Sequence, residues 1–375
     1  MMAGMSECAS MTARSPQRLL LLDGLRGIAA ISVMGYHFGH VFHVKNLFAR
    51  GYLFVDFFFI LSGFVLTLAL EPRLAKGWPP SAFIRARIIR LWPMAALGAV
   101  AGAMVMFATR GSGTVEIALT LLMALAMIPL TGIRDLEAFP LNGPQWSLLF
   151  ELIANLVHAM LLQRLATKVL LGIAVISGTT EALVIFTYGS NRVGPDSLDW
   201  YAGLPRVAFA YTLGICFGRL WQSRRPRIES HWLVPFALIS LLPIALCFTN
   251  GWLSRASGDA LSVLVAMPAL FWLAACGSVP SRLERVFSGL GILSFPLYAV
   301  HLPILKLFGH FDQSPITGVA ALATSLMLAA GLGFTIDHRH KATSASAQKL
   351  GEAGDLSHSQ SSAKGKVDRQ PPVEA

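Results

Sequence analysis

The chain has 375 residues, 54% of them hydrophobic and only 13% charged, with a formal net charge of +10. Soluble domains usually carry about 25% charged residues, so a soluble fold is set aside. Lys and Arg collected in the cytoplasmic loops of a polytopic membrane protein explain the positive balance, and no nucleic-acid partner is implied. The four cysteines, Cys8, Cys216, Cys247 and Cys276, have no short spacing, so neither a disulfide framework nor a zinc site is suggested.

Residues 1–17 are polar and read as a cytoplasmic N-terminus. The first apolar segment, 19–40, is longer than a signal-peptide core and bears charges, so it is expected to be an uncleaved span. Its stretch "LDGLRGIAAISVMGYHFGH" contains Asp23, Arg26 and His37. A charge at bilayer depth costs at least about 2.5 kcal/mol, so such residues face protein or a water-filled cavity. Arg26 and His37 are eleven residues apart. That spacing puts them within about 20° on one helix face and roughly 16 Å apart along the axis. His37, His40 and His43 fan around the helix at successive steps of about 300°, so no metal site is expected.

The second span, 51–70, carries Asp56 about 8 Å below the outer surface. The loop after it holds Arg73, Lys76, Arg85, Arg87 and Arg90, which predicts a cytoplasmic position. Arg87 and Arg90 share a helix face; they are either a topology signal only or a clasp for diphosphate. The long apolar stretch 91–131 could cross twice by length. One net crossing instead keeps the later Arg and Lys clusters cytoplasmic, which predicts a long tilted helix or a re-entrant piece.

Further spans are expected at 146–163, 169–187, 204–221, 232–249, 260–276, 289–308 and 315–336, and residues 337–375 read as a disordered cytoplasmic tail. The fold class is therefore all-α: a polytopic membrane helix bundle of about ten transmembrane helices over 18–336, with both termini cytoplasmic. Counting from the outer span ends puts Glu151 and His301 at about the level of Asp56 and His37. Two bland readings stand beside this. Asp56 could simply bind a neighbouring helix, and His301 could satisfy carbonyls freed near Pro303.

Together these segments resemble the acyltransferase-3 family of integral-membrane acyltransferases. The likeness lies in "LDGLRGIAAISVMGYH", with Arg26 and His37 at the family's Arg-ten-residues-His spacing, and in "FVDFFFILSGFVL". It continues in the Arg87–Arg90 pair, in "WSLLFE" and in "SFPLYAVHLPIL", all in family order. "FELIANLVHA" departs from the family, which tends to have an aromatic pair after the glutamate.

The resemblance implies an acyl-CoA donor, usually acetyl-CoA, entering from the cytoplasm, and a hydroxyl acceptor, a carbohydrate or another envelope molecule, at the outer face of a bacterial inner membrane. It implies His37 as the central catalytic residue and Arg87 with Arg90 as contacts to the CoA phosphates. On this reading His37 is the general base or a covalent relay. Asp56 or Glu151 orients it, and Arg26 stabilises charge on the donor. His301, Arg206, Trp146 and Ser147 are the acceptor contacts, and no metal takes part. No second catalytic domain is expected after the last span. The competing classes are a secondary transporter, for which the sequence lacks two related halves, and a non-catalytic scaffold.

Overall fold

A computed structural model describes residues 19–45, 48–110, 113–224, 231–248 and 253–338. The polar N-terminus and most of the predicted tail therefore lie outside the described residues. The described chain is helical throughout, in the order α1 (Leu20–Val41), α2 (Phe54–Ala75), α3 (Pro80–Arg110), α4 (Thr114–Leu125), α5 (Gln145–Met160), α6 (Thr167–Tyr188), α7 (Gly203–Arg224), α8 (Leu233–Phe248), α9 (Arg255–Leu261), α10 (Met267–Cys276), α11 (Glu284–Phe311) and α12 (Pro315–His338). A π-helical turn, Ser262–Ala266, joins α9 to α10.

Each predicted span is helical, and the molecule is a polytopic helical bundle of a multi-pass integral membrane protein. Six helices are long and apolar enough to cross by themselves: 51–75, 80–109, 167–188, 255–276, 281–311 and 315–338. Among the other four predicted spans, α5 and α8 are 16 residues each. The remaining two, α1 and α7, carry more polar side chains, and of these Arg206 of α7 is fully buried.

Close helix approach sets the geometry. A Cβ at Gly27 of α1 would stand 2.6 Å from Leu290 Cβ of α11, and Gly309 packs on Val41. The two helices therefore run parallel, joined through small residues as membrane helices commonly are. The second helix runs antiparallel to α1, with Tyr36 and Tyr52 rings 5.3 Å apart. It is parallel to α7, on which Gly63 packs at Tyr211. Near the far end of α2, Glu71 pairs with Arg219 at 2.8 Å and with His158 at 3.3 Å. The bundle thus has an Arg26 end and a His37 end.

Residues 91–131 contain one long helix and a re-entrant piece. The third helix spans 31 residues; α4 has only 12, about 18 Å. The short helix ends partway across the bundle, where Trp92 Nε1 donates to Leu125 O at 2.8 Å and Gln145 Nε2 donates to Ala124 O at 2.6 Å. The chain then returns to the His37 end, where Ala138 N donates to Pro195 O and Lys306 meets Glu137 at 3.2 Å. One net traverse results.

A helix that stops in an apolar region must have its last carbonyls satisfied. For α4 the returning backbone does most of this, with Ala126, Met127 and Ile128 N donating to Leu122, Ala124 and Met123 O, and fully buried Gln145 adds a second donor to Ala124 O. Gln145→Leu is therefore expected to destabilise the protein by about 0.5–1.5 kcal/mol, read as a lower midpoint of thermal unfolding in detergent. An unchanged midpoint would show that α4 does not depend on this cap.

Candidate active site

Two cavities lie back to back in the bundle. The first, about 120 Å³ at the Arg26 end, is lined by Arg26, Arg87, Arg90, Glu151, Ser62 and Ser294. Its other walls are apolar and include Phe58, Phe59, Leu66, Leu91 and Phe295. The second, about 190 Å³ at the His37 end, is lined by His37, His40, Tyr36, Tyr52, Trp146, Arg206, Glu137, Asp196, Arg192 and Lys306. Val55 and Tyr298 line both. They form a thin shared wall, and the Tyr298 hydroxyl is tied to Ser147 Oγ at 2.6 Å.

In the first cavity, Arg26 donates to Ser294 Oγ at 2.8 Å and to Gly291 O at 2.6 Å, with Asp23 3.7 Å away. These bonds fix its guanidinium against α11. Arg87 pairs with Glu151 at 3.0 Å, and Ser62 Oγ donates to the same carboxylate oxygen at 2.8 Å. The Arg87 Nε is buried without a partner. Arg87 and Arg90, three residues apart on α3, both reach this cavity, as their shared face predicts. Arg85 is not among its lining residues. Three guanidiniums facing Glu151 and Asp23 leave a net positive cradle beside apolar walls. Such a place suits an anionic head group with an apolar or thioester-bearing arm.

In the second cavity, His37 sits on the wall while His301 lies behind it, fully buried, with ring centroids 5.2 Å apart. Trp146 and Arg206 also reach this cavity, whereas Ser147 lines the first. Arg206 lies over the Trp146 ring, its Cζ 5.5 Å from the centroid. It is held by Asp56 at 2.8 Å, Tyr52 O at 2.6 Å and Asn191 O at 3.0 Å. A buried network extends from there: Asn191 Nδ2 donates to Asp56 and to Glu181, and Tyr52 donates to Asp259 at 2.6 Å. These bonds clamp α2, α6, α7 and α9 around the His37 end.

The expected single layer of four ionisable residues is not what the bundle forms. His37 and His301 meet, but Asp56 is committed to Arg206, and Glu151 belongs to the first cavity with Arg87. Neither carboxylate is placed to orient the His37 ring. The reason is the starting depth of α5. Asn142, just before it, is already buried against α11, its Nδ2 donating to Ala299 O at 2.9 Å. Pro303 leaves that carbonyl without its helical N–H. Counting from the first apolar residue as if it stood at the surface therefore places Glu151 too near the outer end. His301, expected as an acceptor contact, is absent from the cavity lining and bonds the Leu297 carbonyl at 2.8 Å.

Sequence reasoning missed Tyr298, Ser62, Ser294, Glu181, Asn191 and Asp259. Glu181 and Asp259 carried the same signal as Asp56, an ionisable residue inside an apolar segment. The hydroxyls carried none.

Residues 19–336 match the family model of an acyltransferase domain, Acyl_transf_3. "Protein 2 in picA locus" of Rhizobium radiobacter is 35% identical over 164 residues, covering 40% of this chain and 85% of that protein. No solved structure matches the chain.

Proposed function

The chain belongs to the acyltransferase-3 family of membrane-bound acyltransferases, and from that premise we propose that it moves an acyl group, acetyl foremost, from cytoplasmic acyl-CoA to a hydroxyl of an envelope carbohydrate or similar acceptor. The observation that carries this reading is the pair of cavities sharing Val55 and Tyr298, one with three guanidiniums and one with an imidazole. Acyl transfer between two compartments needs this division: an anchor for a phosphorylated donor on one side, a base for the acceptor on the other.

In this reading Arg87 and Arg90 hold phosphate oxygens by charge-assisted hydrogen bonds. Glu151 keeps Arg87 in the cradle, and Arg26 stabilises negative charge developing on the donor. His37 removes the acceptor proton as the hydroxyl oxygen attacks the thioester carbon. The C–S bond breaks and the thiolate sulfur takes the proton. Trp146, held flat by Arg206, offers the acceptor an aromatic face, and Asp56 acts through Arg206. No metal takes part. The test is release of free CoA thiol by the purified protein with acetyl-CoA and a polysaccharide acceptor. Thiol release that requires the acceptor supports the reading, and none with any envelope hydroxyl opposes it.

The donor side sets the sidedness: the Arg26 end is cytoplasmic in a bacterial inner membrane, and so are both termini. Asp135 and Lys76 are exposed at the two ends of the bundle. In a cysteine-free background, Asp135→Cys is expected to react with an impermeant maleimide added to intact spheroplasts, and Lys76→Cys only after lysis. The reverse pattern would invert the proposed direction of transfer.

A further inference from the structure

His301 is buried behind the second cavity, and one of its two ring nitrogens has an unambiguous state. A carbonyl oxygen can only accept, so the 2.8 Å bond to Leu297 O makes Nδ1 the protonated nitrogen. Nε2 then carries the lone pair. It is buried and has no hydrogen-bond partner. An unpaired acceptor inside a membrane bundle is costly, and the functional group it faces is the His37 ring, with centroids 5.2 Å apart. The two rings are tilted by 44° and share no hydrogen bond as they stand; at this spacing a turn of the His37 ring about its Cβ–Cγ bond is the movement that brings an N–H to that lone pair.

We propose that His301 is the positioning residue for His37: its Nε2 accepts the N–H of His37, which leaves the other His37 nitrogen bare towards the acceptor cavity. The inference rests on the acyltransferase reading and deepens it. A base whose tautomer is set by a third group is the general logic of nucleophile–base–orienter arrays. Here the orienter is neutral, so no second charge is buried in the span. The groups around the pair are engaged elsewhere or point into the cavity. On α11, Lys306 pairs with Glu137, and Tyr298 bonds Ser147. On α1, His40 bonds Tyr36 O. From α2 and α7, Asp56 and Arg206 bind each other. Tyr52 bonds Asp259, while Arg192 and Asp196 line the cavity from the loop before α7.

During transfer the hydroxyl proton passes to the bare nitrogen of His37. The acceptor oxygen bonds to the acyl carbon, the C–S bond breaks, and the same proton passes to sulfur. His301 keeps its Nδ1 proton throughout.

Two substitutions separate this role from packing. An Asn amide reproduces Nδ1 and its bond to Leu297 O but offers nothing at the Nε2 position; a Gln amide places its oxygen near Nε2. His301→Asn is expected to lose roughly ten- to a hundred-fold in kcat, the usual cost of removing an orienting partner, with KM for acetyl-CoA unchanged. His301→Gln is expected to keep most of the wild-type kcat. If Asn retains as much kcat as Gln, or more, His301 serves only to bind the helix carbonyl and the proposal is overturned. His37→Ala, assayed alongside, tests the underlying reading separately: an active His37→Ala enzyme removes the active site itself, whereas an inactive one with the Asn and Gln order reversed removes only the role of His301.

Discussion

His37→Ala is expected to lower transfer by about 10²–10⁴-fold, the range over which a positioned general base contributes, while acetyl-CoA still binds. The two effects separate because the structure separates the sites: His37 lines the cavity at one end, and the three guanidiniums line the other. His40 lines the same cavity but lies nearly one turn further along α1, where it is exposed, so it does not reach the position of the His37 ring. His301 is fully buried and has no access to the cavity. For the wild-type enzyme a general base must be neutral, so kcat/KM falls on the acid side as the imidazole protonates, and a His37→Ala enzyme has lost that limb. Steady-state thiol release against pH, paired with donor binding by calorimetry, checks both statements. An acyl group trapped on His37 with donor alone would replace the general base by a covalent relay. Wild-type turnover in His37→Ala would place the chemistry elsewhere.

Arg87→Ala combined with Arg90→Ala is expected to weaken acetyl-CoA binding by roughly a hundred-fold or more. Each lost charge-assisted hydrogen bond contributes about 1.5–3 kcal/mol, and about 1.4 kcal/mol is a factor of ten. Arg85→Ala, on the same helix but outside the cavity, is expected to change binding less than about three-fold. The measurement is donor affinity by titration calorimetry on the three proteins in nanodiscs. Dephospho-CoA, which keeps the diphosphate and lacks only the 3′-phosphate, provides a second handle: equal binding of it by wild type assigns the pair to the diphosphate, whereas discrimination that the double variant loses assigns it to the 3′-phosphate. Three equally small effects would reduce the cluster to a topology signal.

The division between legible and hidden follows the range of the forces concerned. Hydropathy is summed over about 20 residues of one segment. The helical bundle and each segment that became a helix were therefore readable without neighbours, whereas the single traverse of 91–131, long enough to cross twice, was read from the Lys and Arg of the other loops. The Arg87–Arg90 face and the Arg26–His37 face were readable too, because helical spacing alone sets them. The partition of these residues between two cavities was not. It depends on Tyr298 and Val55 coming from different helices to close a wall, and neither residue type signals that role.

Pairing was hidden for the same reason. Asp56 and Glu151 look alike in sequence, each a carboxylate in an apolar segment. A buried carboxylate goes to whichever cation the packing brings near. For Asp56 that is Arg206, 150 residues away, and for Glu151 it is Arg87. Depth likewise depends on where a helix begins in the bundle, and α5 starts below the surface because Asn142 is drawn inward by the carbonyl that Pro303 leaves open. The sequence by itself determined the membrane class, the family and the two helix faces that carry the arginines and His37, all of them local properties. Only the tertiary structure decided which carboxylate serves which cation, and that His37 has an imidazole behind it rather than an acid, because hydrogen-bond partners are chosen by proximity across helices.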